Sequence, residues 1–432
     1  MKLFIPTPSV KKLLTSIFII VPIILCTFYS CKSLRPQIST IQVEQPFNPK
    51  REFRGAWLPT VTGDYYQLSE AQMQSKLIKQ LNALQAAGIN AILFQIRPSA
   101  DALYPSTLEP WSKWLTGTQG ISPGWDPTAW IIQECHKRGM EMHAWLNPYR
   151  VKQHLTERLA PSHIYFRHPE WFITYGDKML FNPALQQSRH FICQIIKDIL
   201  TKYDVDGIHM DDYFYPYPIA GKKFPDENDY LAMGLQFQNK ADWRRHNVDL
   251  LIQQIHETIQ QQKPWVKFGI SPFGIYRNKK NSPDGSATNG LENYGDLYAD
   301  ILKWTRSGWV DYIIPQIYWQ IGHPVADYNV LVDWWANHTN YRNLYIGQSI
   351  LRTIKYSDVT NPNKNQFTAK IKRQRSHSSI SGSCQWPGQC IVDNIGGIAD
   401  SLRLVYHSTL ALQPKYPWID DEAPEVVRNL KC

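Results

Sequence analysis

Two adjacent acids, Asp211 and Asp212, follow a mostly apolar run that starts at Val205. A carboxylate at the end of a buried strand costs free energy unless a partner or a chemical task requires it there. Two neighbouring carboxyl groups repel each other, so the pKa of one of them is expected to rise. A protonated carboxyl beside an ionised one is suited to general acid catalysis. A metal site formed by the pair is the alternative.

Strand-like and helix-like segments alternate along the chain and would position this pair. The clearest helix spans 69–88, where Ser69 and Gln72 form a capping-box pattern and Gly88 ends the helix. Asp126-Pro127 predicts the start of the next helix, which Gly139 ends. Further helices are predicted at 188–203, 242–262, 295–307, 325–337 and 395–407.

Eight apolar strands are predicted between these helices. Seven lie in "FRGAWLP", "INAILFQIRP", "MEMHAWLNPY", "VDGIHMDDY", "VKFGISPFG", "VDYIIPQIYW" and "LYIGQSIL", and the eighth lies within Ile380–Trp386. Eight strand–helix units predict an α/β protein with a closed (β/α)8 TIM barrel. A doubly wound open sheet is the alternative, and it is disfavoured because no strand leads into a GxGxxG-type phosphate loop.

Polar residues gather where the predicted strands end, which is where such a barrel carries its active site. Residues two apart share a face of a strand, so each set can point into one mouth. The predicted substrate-binding residues are Gln95, Arg97, His143, Trp145, Asn147, His209, Tyr213, Gln316, Tyr318 and Trp319.

Several of these residues also have structural interpretations. Arg97 could neutralise a neighbouring carboxylate, and His143 and His209 could be core histidines with satisfied hydrogen bonds. Asn147 could cap a turn before Pro148. Tyr318 and Trp319 could simply pack in the core. These alternatives remain open from the sequence.

Five motifs in order carry a family resemblance that covers about residues 50 to 415. "FRGAWLPT", "LNPYR", "DGIHMDDYFYP", "SPFGIYRN" and "DYIIPQIYW" together resemble a family of bacterial glycoside-hydrolase-like lipoproteins, long classed as a domain of unknown function. The resemblance implies a TIM barrel, and members are implicated in cutting the glycan strands of peptidoglycan. The segment "SGSCQWPGQC" around the eighth strand has no clear counterpart in the family.

Two looser likenesses suggest roles for the acids. "DGIHMD" is similar to the "DGFRLD" strand of α-amylase-like barrels, which implies that Asp211 is a nucleophile. Hexosaminidases instead use two neighbouring acids at the end of strand four. One acid orients the substrate's 2-acetamido group, which attacks the anomeric carbon, and the other protonates the leaving oxygen.

A second catalytic acid outside the pair is not evident. Two-carboxylate hydrolysis needs an acid and a nucleophile or base about 5–9.5 Å apart, but the fifth strand ends only in Ser271. The loop after it offers Glu292, the third predicted catalytic residue. Other acids in loops at the same end of the barrel are Asp64, Asp101, Asp284 and Asp296.

The chain begins with a segment that predicts export. Three lysines precede an apolar stretch from about Leu13 to Tyr29, and Ser30-Cys31 follows, as in a secretory signal. The segment resembles a bacterial lipobox, which would place a lipid on Cys31; an uncleaved anchor helix is the alternative. The expected divisions are a signal (1–30), a tether (31–50), the barrel (51–418) and a tail (419–432). The expected location is the outer membrane of a Gram-negative bacterium.

Charge and cysteine content restrict the class of partner. Removing residues 1–30 deletes three lysines and no acid, so the net charge falls from +9 to +6. That is too little to predict nucleic-acid binding. Cationic runs at Arg277–Lys280 and Lys370–Arg375 are interpreted as solvated loop charge, or alternatively as an attractor of an anionic polymer or membrane. No zinc-like spacing occurs, and Cys384 and Cys390 are close enough to pair.

The sequence therefore predicts a monomeric, membrane-anchored glycoside hydrolase that needs no metal or cofactor and cuts amino-sugar glycan strands, peptidoglycan above all. The 16 Trp and 23 Tyr supply flat faces of the kind that sugar-binding clefts use. Hydrolysis of another exopolysaccharide or a dietary glycan is one alternative. A lipoprotein that binds a glycan without turnover is another, and a metal-dependent deacetylase is a third.

Overall fold

A computed structural model describes residues 48–357 and 365–422. The predicted signal, Cys31 and most of the tether lie outside the described residues, as does most of the predicted tail. No described helix has the length and apolar character needed to cross a membrane. Cys384 and Cys390 are not bonded to each other, so the possible pairing is wrong.

Eight parallel strands close into a barrel, which confirms the predicted fold. Each strand pairs with the next, and the last pairs with the first, with Phe53 opposite Gly382. The eighth strand has the predicted bounds. The strands are β1 Phe53–Leu58, β2 Ala91–Arg97, β3 Glu141–Leu146, β4 Gly207–Met210, β5 Lys267–Ile270, β6 Tyr312–Ile313, β7 Asn343–Ser349 and β8 Ile380–Trp386.

Helices surround the barrel and pack their apolar faces on the outside of the strands. The Ser69 capping box and the Asp126 cap with Pro127 form as predicted. The helices are Glu70–Ala86, Lys113–Thr116, Pro127–His136, Gln186–Lys202, Glu227–Met233, Lys240–Gln262, Asn293–Asp296, Ile301–Arg306, Tyr328–His338, Ile350–Lys355, Gln366–Arg375, Gln389–Val392 and Ile398–Ser401.

Two predicted helices are broken by left-handed backbone. The predicted 295–307 helix is only Ile301–Arg306, because Tyr298 has a φ of 54° and ends the preceding turn. The predicted 395–407 helix is a series of short turns, because Gly396 and Gly397 have φ values of 61° and 73°. Apolar periodicity continues through both breaks, so it could not locate them.

The cationic run Lys370–Arg375 lies in the helix Gln366–Arg375, so its interpretation as a solvated loop is wrong. Lys370 is fully buried and donates to the Trp319 carbonyl (2.9 Å) and the Thr353 hydroxyl (3.0 Å). Arg375 pairs with Glu52 (2.8 Å). These contacts stabilise the packing of the helix against the barrel.

A small antiparallel sheet, which the sequence did not predict, is inserted between β3 and the helix Gln186–Lys202. Its strands are Arg150–Lys152, Phe172–Tyr175 and Lys178–Phe181, and the last of them is central. The insertion follows the C-terminal end of β3, so it stands at the end of the barrel where an active site is expected.

Aromatic rings fill the barrel interior. Phe53 and Tyr345 stack with ring centroids 4.2 Å apart, and Tyr312 lies against both. Two interior positions are glycine because rings occupy the space a side chain would need. A Cβ at Gly269 would lie 1.9 Å from the Tyr312 ring, and one at Gly207 would lie 2.6 Å from His143.

A column of polar side chains runs through these rings along the barrel axis. The Tyr312 hydroxyl lies 2.7 Å from His143 Nδ1 and 3.1 Å from His209 Nδ1. At one end of the column, His143 Nε2 contacts Glu141 (3.0 Å). At the other end, His209 Nε2 contacts Ser271 Oγ (3.1 Å). Both histidines are fully buried, so the column satisfies polar groups that water cannot reach.

We expect Tyr312→Phe to destabilise the protein by about 1–3 kcal/mol for each buried histidine nitrogen left without a partner. The change removes only a hydroxyl, so it creates almost no cavity. The free energy of unfolding in urea, followed by circular dichroism, measures the loss.

Tyr149→Phe is the matched control. The Tyr149 hydroxyl is also buried, but it has no hydrogen-bond partner among the described residues, so its removal should leave stability nearly unchanged. Equal losses in the two variants would show that the column contributes nothing specific.

Candidate active site

Asp211 and Asp212 line one cavity of about 190 Å³ at the C-terminal end of the barrel. Neighbouring residues of a strand point to opposite faces, but β4 ends at Met210. The chain turns immediately after it, and this turn lets both carboxyl groups reach the same cavity. Both side chains are nearly inaccessible, at 4% and 2% exposure.

Each acid is held by donors from a different part of the barrel. Asp211 Oδ2 accepts from the Trp145 indole (3.2 Å) and from the Asn147 amide. Asp212 Oδ2 accepts from the Tyr217 hydroxyl. Its Oδ1 accepts from the Gln316 amide (3.3 Å). Donors at the end of β3 therefore fix Asp211, and donors from the segments after β4 and β6 fix Asp212.

Burial raises the pKa of Asp211 to about 7, the nearby Arg150 charge opposes this rise, and repulsion by Asp212 adds to it. Burial also raises the pKa of Asp212, although hydrogen bonds from Tyr217 and Gln316 oppose the shift. The sequence predicted a raised pKa for one acid of the pair through mutual repulsion, whereas the pKa of both is raised and burial is the larger cause.

The hydrogen bonds indicate which acid keeps the proton. Both strong donors to Asp211 meet Oδ2, and only a long contact of 3.4 Å from the Tyr213 N–H reaches Oδ1. Asp211 Oδ1 can therefore carry a proton. Asp212 accepts a donor on each oxygen, an arrangement that stabilises the ionised form. The pair is arranged as a neutral Asp211 beside an ionised Asp212.

Three indoles form an apolar wall beside the acids. Trp386 meets Trp57 and Trp145 edge to face, with centroids 6.4 Å and 6.1 Å apart. Tyr213, Ser271, Gln316 and Tyr318 complete the lining. The cavity thus combines flat aromatic surfaces with two carboxyl groups, which suits a sugar ring with polar edges and apolar faces.

The structure brings most of the predicted site residues together. Trp145, Asp211, Asp212, Tyr213, Gln316 and Tyr318 line the cavity. Asn147 and His209 lie behind it, where Asn147 donates to Asp211 and His209 contacts Ser271. Gln95 is fully buried and donates to Asn147 Oδ1 (2.7 Å), so it acts by positioning Asn147.

Besides these three residues, four predicted site residues do not line the cavity and lie elsewhere. Arg97 is buried in a bidentate ion pair with Glu109, which matches its alternative interpretation. His143 lies deeper in the polar column. Trp319 packs on Phe273 instead (5.5 Å).

The fourth of these residues is Glu292. Its side chain is 4% exposed. Its Oε2 atom accepts hydrogen bonds from the Asn278 backbone N–H (2.7 Å), the Asn278 side-chain amide and the Asn281 side-chain amide. These bonds hold the loop after β5 together, so the structure does not bring Glu292 to the pair. No Asp or Glu other than the pair lines the cavity in the described part of the chain.

Several contributors to the site are not evident from the sequence. Trp57 and Trp386 lie within predicted strands that carry no other sign of a site, and Tyr217 follows directly after the motif "DGIHMDDYFYP". Arg150 ends the motif "LNPYR", and its guanidinium lies over the Tyr213 ring at 4.4 Å. The motif itself was the available signal for Arg150, since it placed a cation just after β3.

We expect Asp211→Asn to stabilise the protein at pH 8, because asparagine resembles the neutral acid. The folded-state pKa is raised, so stability is full below the unfolded value of about 3.9 and declines as pH rises through about 7. The gain in melting temperature over wild type should therefore grow between about pH 4.5 and pH 8.

Asp177→Asn is the control, because the pKa of Asp177 is shifted in the opposite direction to that of Asp211. A hydrogen bond from His154 lowers the pKa of this exposed acid, so its replacement should give no gain at pH 8. A melting difference for Asp211→Asn that does not change with pH would contradict the linkage.

Among the described residues, no group of three or more His, Cys, Asp or Glu side chains is arranged to hold a metal ion.

Solved structures of other proteins share the barrel fold. The glycoside hydrolase domain of PgaB (BpsB) from Bordetella bronchiseptica superimposes with a TM-score of 0.54 at 11% identity, covering 82% of this chain and 99% of that one. The catalytic domain of a β-amylase from Paenibacillus polymyxa gives 0.53 at 10% identity, covering 83% and 99%. At such identities these likenesses show the fold alone.

Sequence relatives are much closer. "Glycosyl hydrolase YngK" of Bacillus subtilis (strain 168) is 42% identical over 402 residues, covering 90% of this chain and 79% of that protein. "Glycosyl hydrolase DigH" of Escherichia coli (strain K12) is 36% identical over 384 residues, covering 81% and 84%. Residues 52–368 match the model of the family "Glycosyl hydrolase-like 10". The resemblance to a glycoside-hydrolase-like family is thereby confirmed, and this chain belongs to the glycosyl hydrolase-like 10 family.

Proposed function

We propose that this chain hydrolyses glycosidic bonds in an amino-sugar glycan, with peptidoglycan as the substrate. The observation that carries the proposal is the pair of buried carboxyl groups, with different hydrogen-bond partners, beside an indole-lined cavity. A neutral acid next to an ionised one at the mouth of a barrel is suited to protonating a leaving oxygen while a developing positive charge is stabilised.

The first step uses both acids and the substrate's own acetamido group. Asp211 donates its proton to the glycosidic oxygen as the bond from that oxygen to C1 breaks. The acetamido carbonyl oxygen forms a bond to C1 from the opposite face, which gives an oxazolinium ion. Ionised Asp212 accepts a hydrogen bond from the acetamido N–H and stabilises the positive charge, while Tyr217 and Gln316 hold Asp212 in place.

The second step returns the site to its starting state. Asp211, now a carboxylate, takes a proton from a water molecule as the water oxygen bonds to C1. The bond between C1 and the acetamido oxygen breaks, and a reducing sugar with an intact acetamido group is released. This route needs no third carboxylate, which agrees with the composition of the cavity lining.

The choice of an amino sugar rests on the shape and chemistry of the cavity. Trp57, Trp145 and Trp386 present apolar surface within the same small cavity as the acids. An acetamido group has a polar N–H and carbonyl for the acids and a methyl group for the indoles. The export signal and lipid attachment at Cys31 that the sequence predicts would place the enzyme at the cell envelope, where peptidoglycan is the abundant amino-sugar polymer.

We expect Asp211→Asn and Asp212→Asn each to lower reducing-end release from peptidoglycan by about 100-fold or more, since each removes a group that acts in the transition state. Mass spectrometry of the products, from intact and peptide-stripped peptidoglycan, identifies the bond that is cut. Glu292→Gln is the matched carboxylate control, because Glu292 does not line the cavity, and it should retain catalytic activity in the fraction that folds.

Four outcomes would oppose this proposal in different ways. Equal release by wild type and both pair variants would refute the role of the pair. Release only from another glycan would move the substrate away from peptidoglycan. Glycan binding with no release by wild type would favour a binding lipoprotein, and loss of wild-type activity with a chelator would favour metal-dependent chemistry.

The pH dependence follows from the pair. Asp211 must be protonated, so kcat/KM should fall as pH rises through about 7. Asp212 must be ionised, and its raised pKa should place the acidic limb above the ordinary range for aspartate. The Arg150 charge lowers the pKa of Asp211, so Arg150→Met should move the alkaline limb to higher pH. An alkaline limb that does not move in this variant would contradict the assignment of the acid.

A further inference from the structure

A second cavity of about 140 Å³ adjoins the first and shares Tyr213 with it. The small antiparallel sheet supplies one side, through Arg150, Lys152, Lys178 and Leu180. The segment after the acid pair supplies the other side, through Tyr213 and Tyr217. Tyr217 also donates to Asp212, so this side cavity lies directly beside the catalytic pair.

The side cavity is strongly positive. Arg150, Lys152 and Lys178 line it, and no Asp or Glu lines it in the described part of the chain. Within 48–357 and 365–422, none of these three cations forms an ion pair with a carboxylate. Arg150 is buried and donates to Asn147 Oδ1 (3.2 Å), while Lys152 reaches only a backbone carbonyl, that of Leu155, at 3.4 Å.

Three cations without a direct ion-pair partner among the described residues favour an anionic ligand at one concave site. Arg150 is the strongest of them, because its guanidinium is fixed over the Tyr213 ring at 4.4 Å and water has little access to it. A guanidinium of this kind suits a carboxylate, whose two oxygens match its parallel N–H groups. Met179, Leu180 and Phe214 also line the cavity and reduce the screening of these charges by water.

We propose that this side cavity is a subsite for the carboxylate of an acidic sugar, next to the sugar bound over Asp211 and Asp212. The inference rests on the proposed hydrolysis of a glycan, and it adds that the glycan carries a negative charge beside the bond that is cut. Two sources supply this chemistry: a lactyl-ether carboxylate, as in the muramic acid of peptidoglycan without its peptides, and a uronic acid.

Binding of a carboxylate in the side cavity would also change the pKa of the catalytic acid, Asp211. Arg150 lowers the pKa of Asp211. A carboxylate bound at Arg150 offsets that effect, so Asp211 remains protonated to a higher pH when the correct glycan is bound. The alkaline limb of kcat should therefore lie at higher pH for a carboxylated glycan than for the same glycan with its carboxyl groups converted to amides.

The test measures binding by calorimetry to full-length protein carrying Asp211→Asn and Asp212→Asn, so that no ligand is consumed. The ligands are peptide-free peptidoglycan oligosaccharides, the same oligosaccharides amidated, hyaluronan oligosaccharides with uronic acids, and neutral chitin oligosaccharides. We expect a carboxylated ligand to bind about tenfold more tightly than its neutral counterpart at low salt. Whether the lactyl or the uronic ligand shows this preference identifies the source.

Adding Lys152→Gln and Lys178→Gln should reduce the preference for the carboxylate several-fold, because Arg150 alone then remains to bind it. Lys279→Gln with Lys280→Gln is the matched control, because it removes the same charge from exposed lysines that do not line the cavity, and it should leave the preference intact. Equal binding of carboxylated and amidated glycans, a preference that removal of Lys152 and Lys178 leaves unchanged, or no binding to any of these glycans would overturn the subsite.

The subsite and the proposed hydrolysis can fail independently, and the experiments distinguish the two failures. A carboxylate preference that depends on Lys152 and Lys178, together with a wild-type protein that releases no reducing ends, would retain the subsite and refute the hydrolase. Hydrolysis of carboxylated and amidated glycans with equal kcat/KM would retain the hydrolase and refute the subsite.

Discussion

The hydrogen bond from the Trp57 indole to His209 Nε2 (3.3 Å) determines which nitrogen of His209 carries the proton. An indole N–H can only donate, so Nε2 of His209 is an acceptor and the proton of the neutral ring lies on Nδ1. That proton faces the Tyr312 hydroxyl oxygen, which also lies beside His143 Nδ1. At the far end of the column, His143 Nε2 faces Glu141. One donor at the mouth of the barrel thus sets the tautomer of His209, the histidine nearest the acids.

A neutral His209 matters for the acids above it. Burial and the neighbouring His143 hold the pKa of His209 well below its usual range, so His209 itself carries no positive charge beneath the cavity. The pKa values of Asp211 and Asp212 then depend mainly on burial, on the charge of the neighbouring acid, on Arg150 and on their hydrogen bonds. The folded protein holds the Asp211 proton more tightly than the unfolded chain does, so the fold loses stability as pH rises towards about 7. Such a conflict between stability and local chemistry is typical of an active site.

Much of the architecture could be predicted because the signals were local. Apolar strands, the Ser69 capping box and the turn at Asp126-Pro127 each depend on residues close in sequence, and the barrel followed from counting them. The failures occurred where one backbone conformation overrides periodicity, as at Tyr298 and at Gly396–Gly397. The small sheet was missed because its strands are short and carry no clear alternation.

The sequence by itself determined which residue types stand at the ends of the strands, including the acid pair and the polar residues of β3 and β6. It could not decide which of them share a cavity. Arg97 and Arg150 both follow barrel strands, yet Glu109 neutralises Arg97 while Arg150 faces the acids. Trp386 comes from the eighth strand, far along the chain from Trp57, and the two indoles meet only because the barrel closes. Periodicity reports the direction of a side chain relative to its own strand, whereas membership of a site depends on contacts between strands distant in sequence, and only the tertiary structure brings these together.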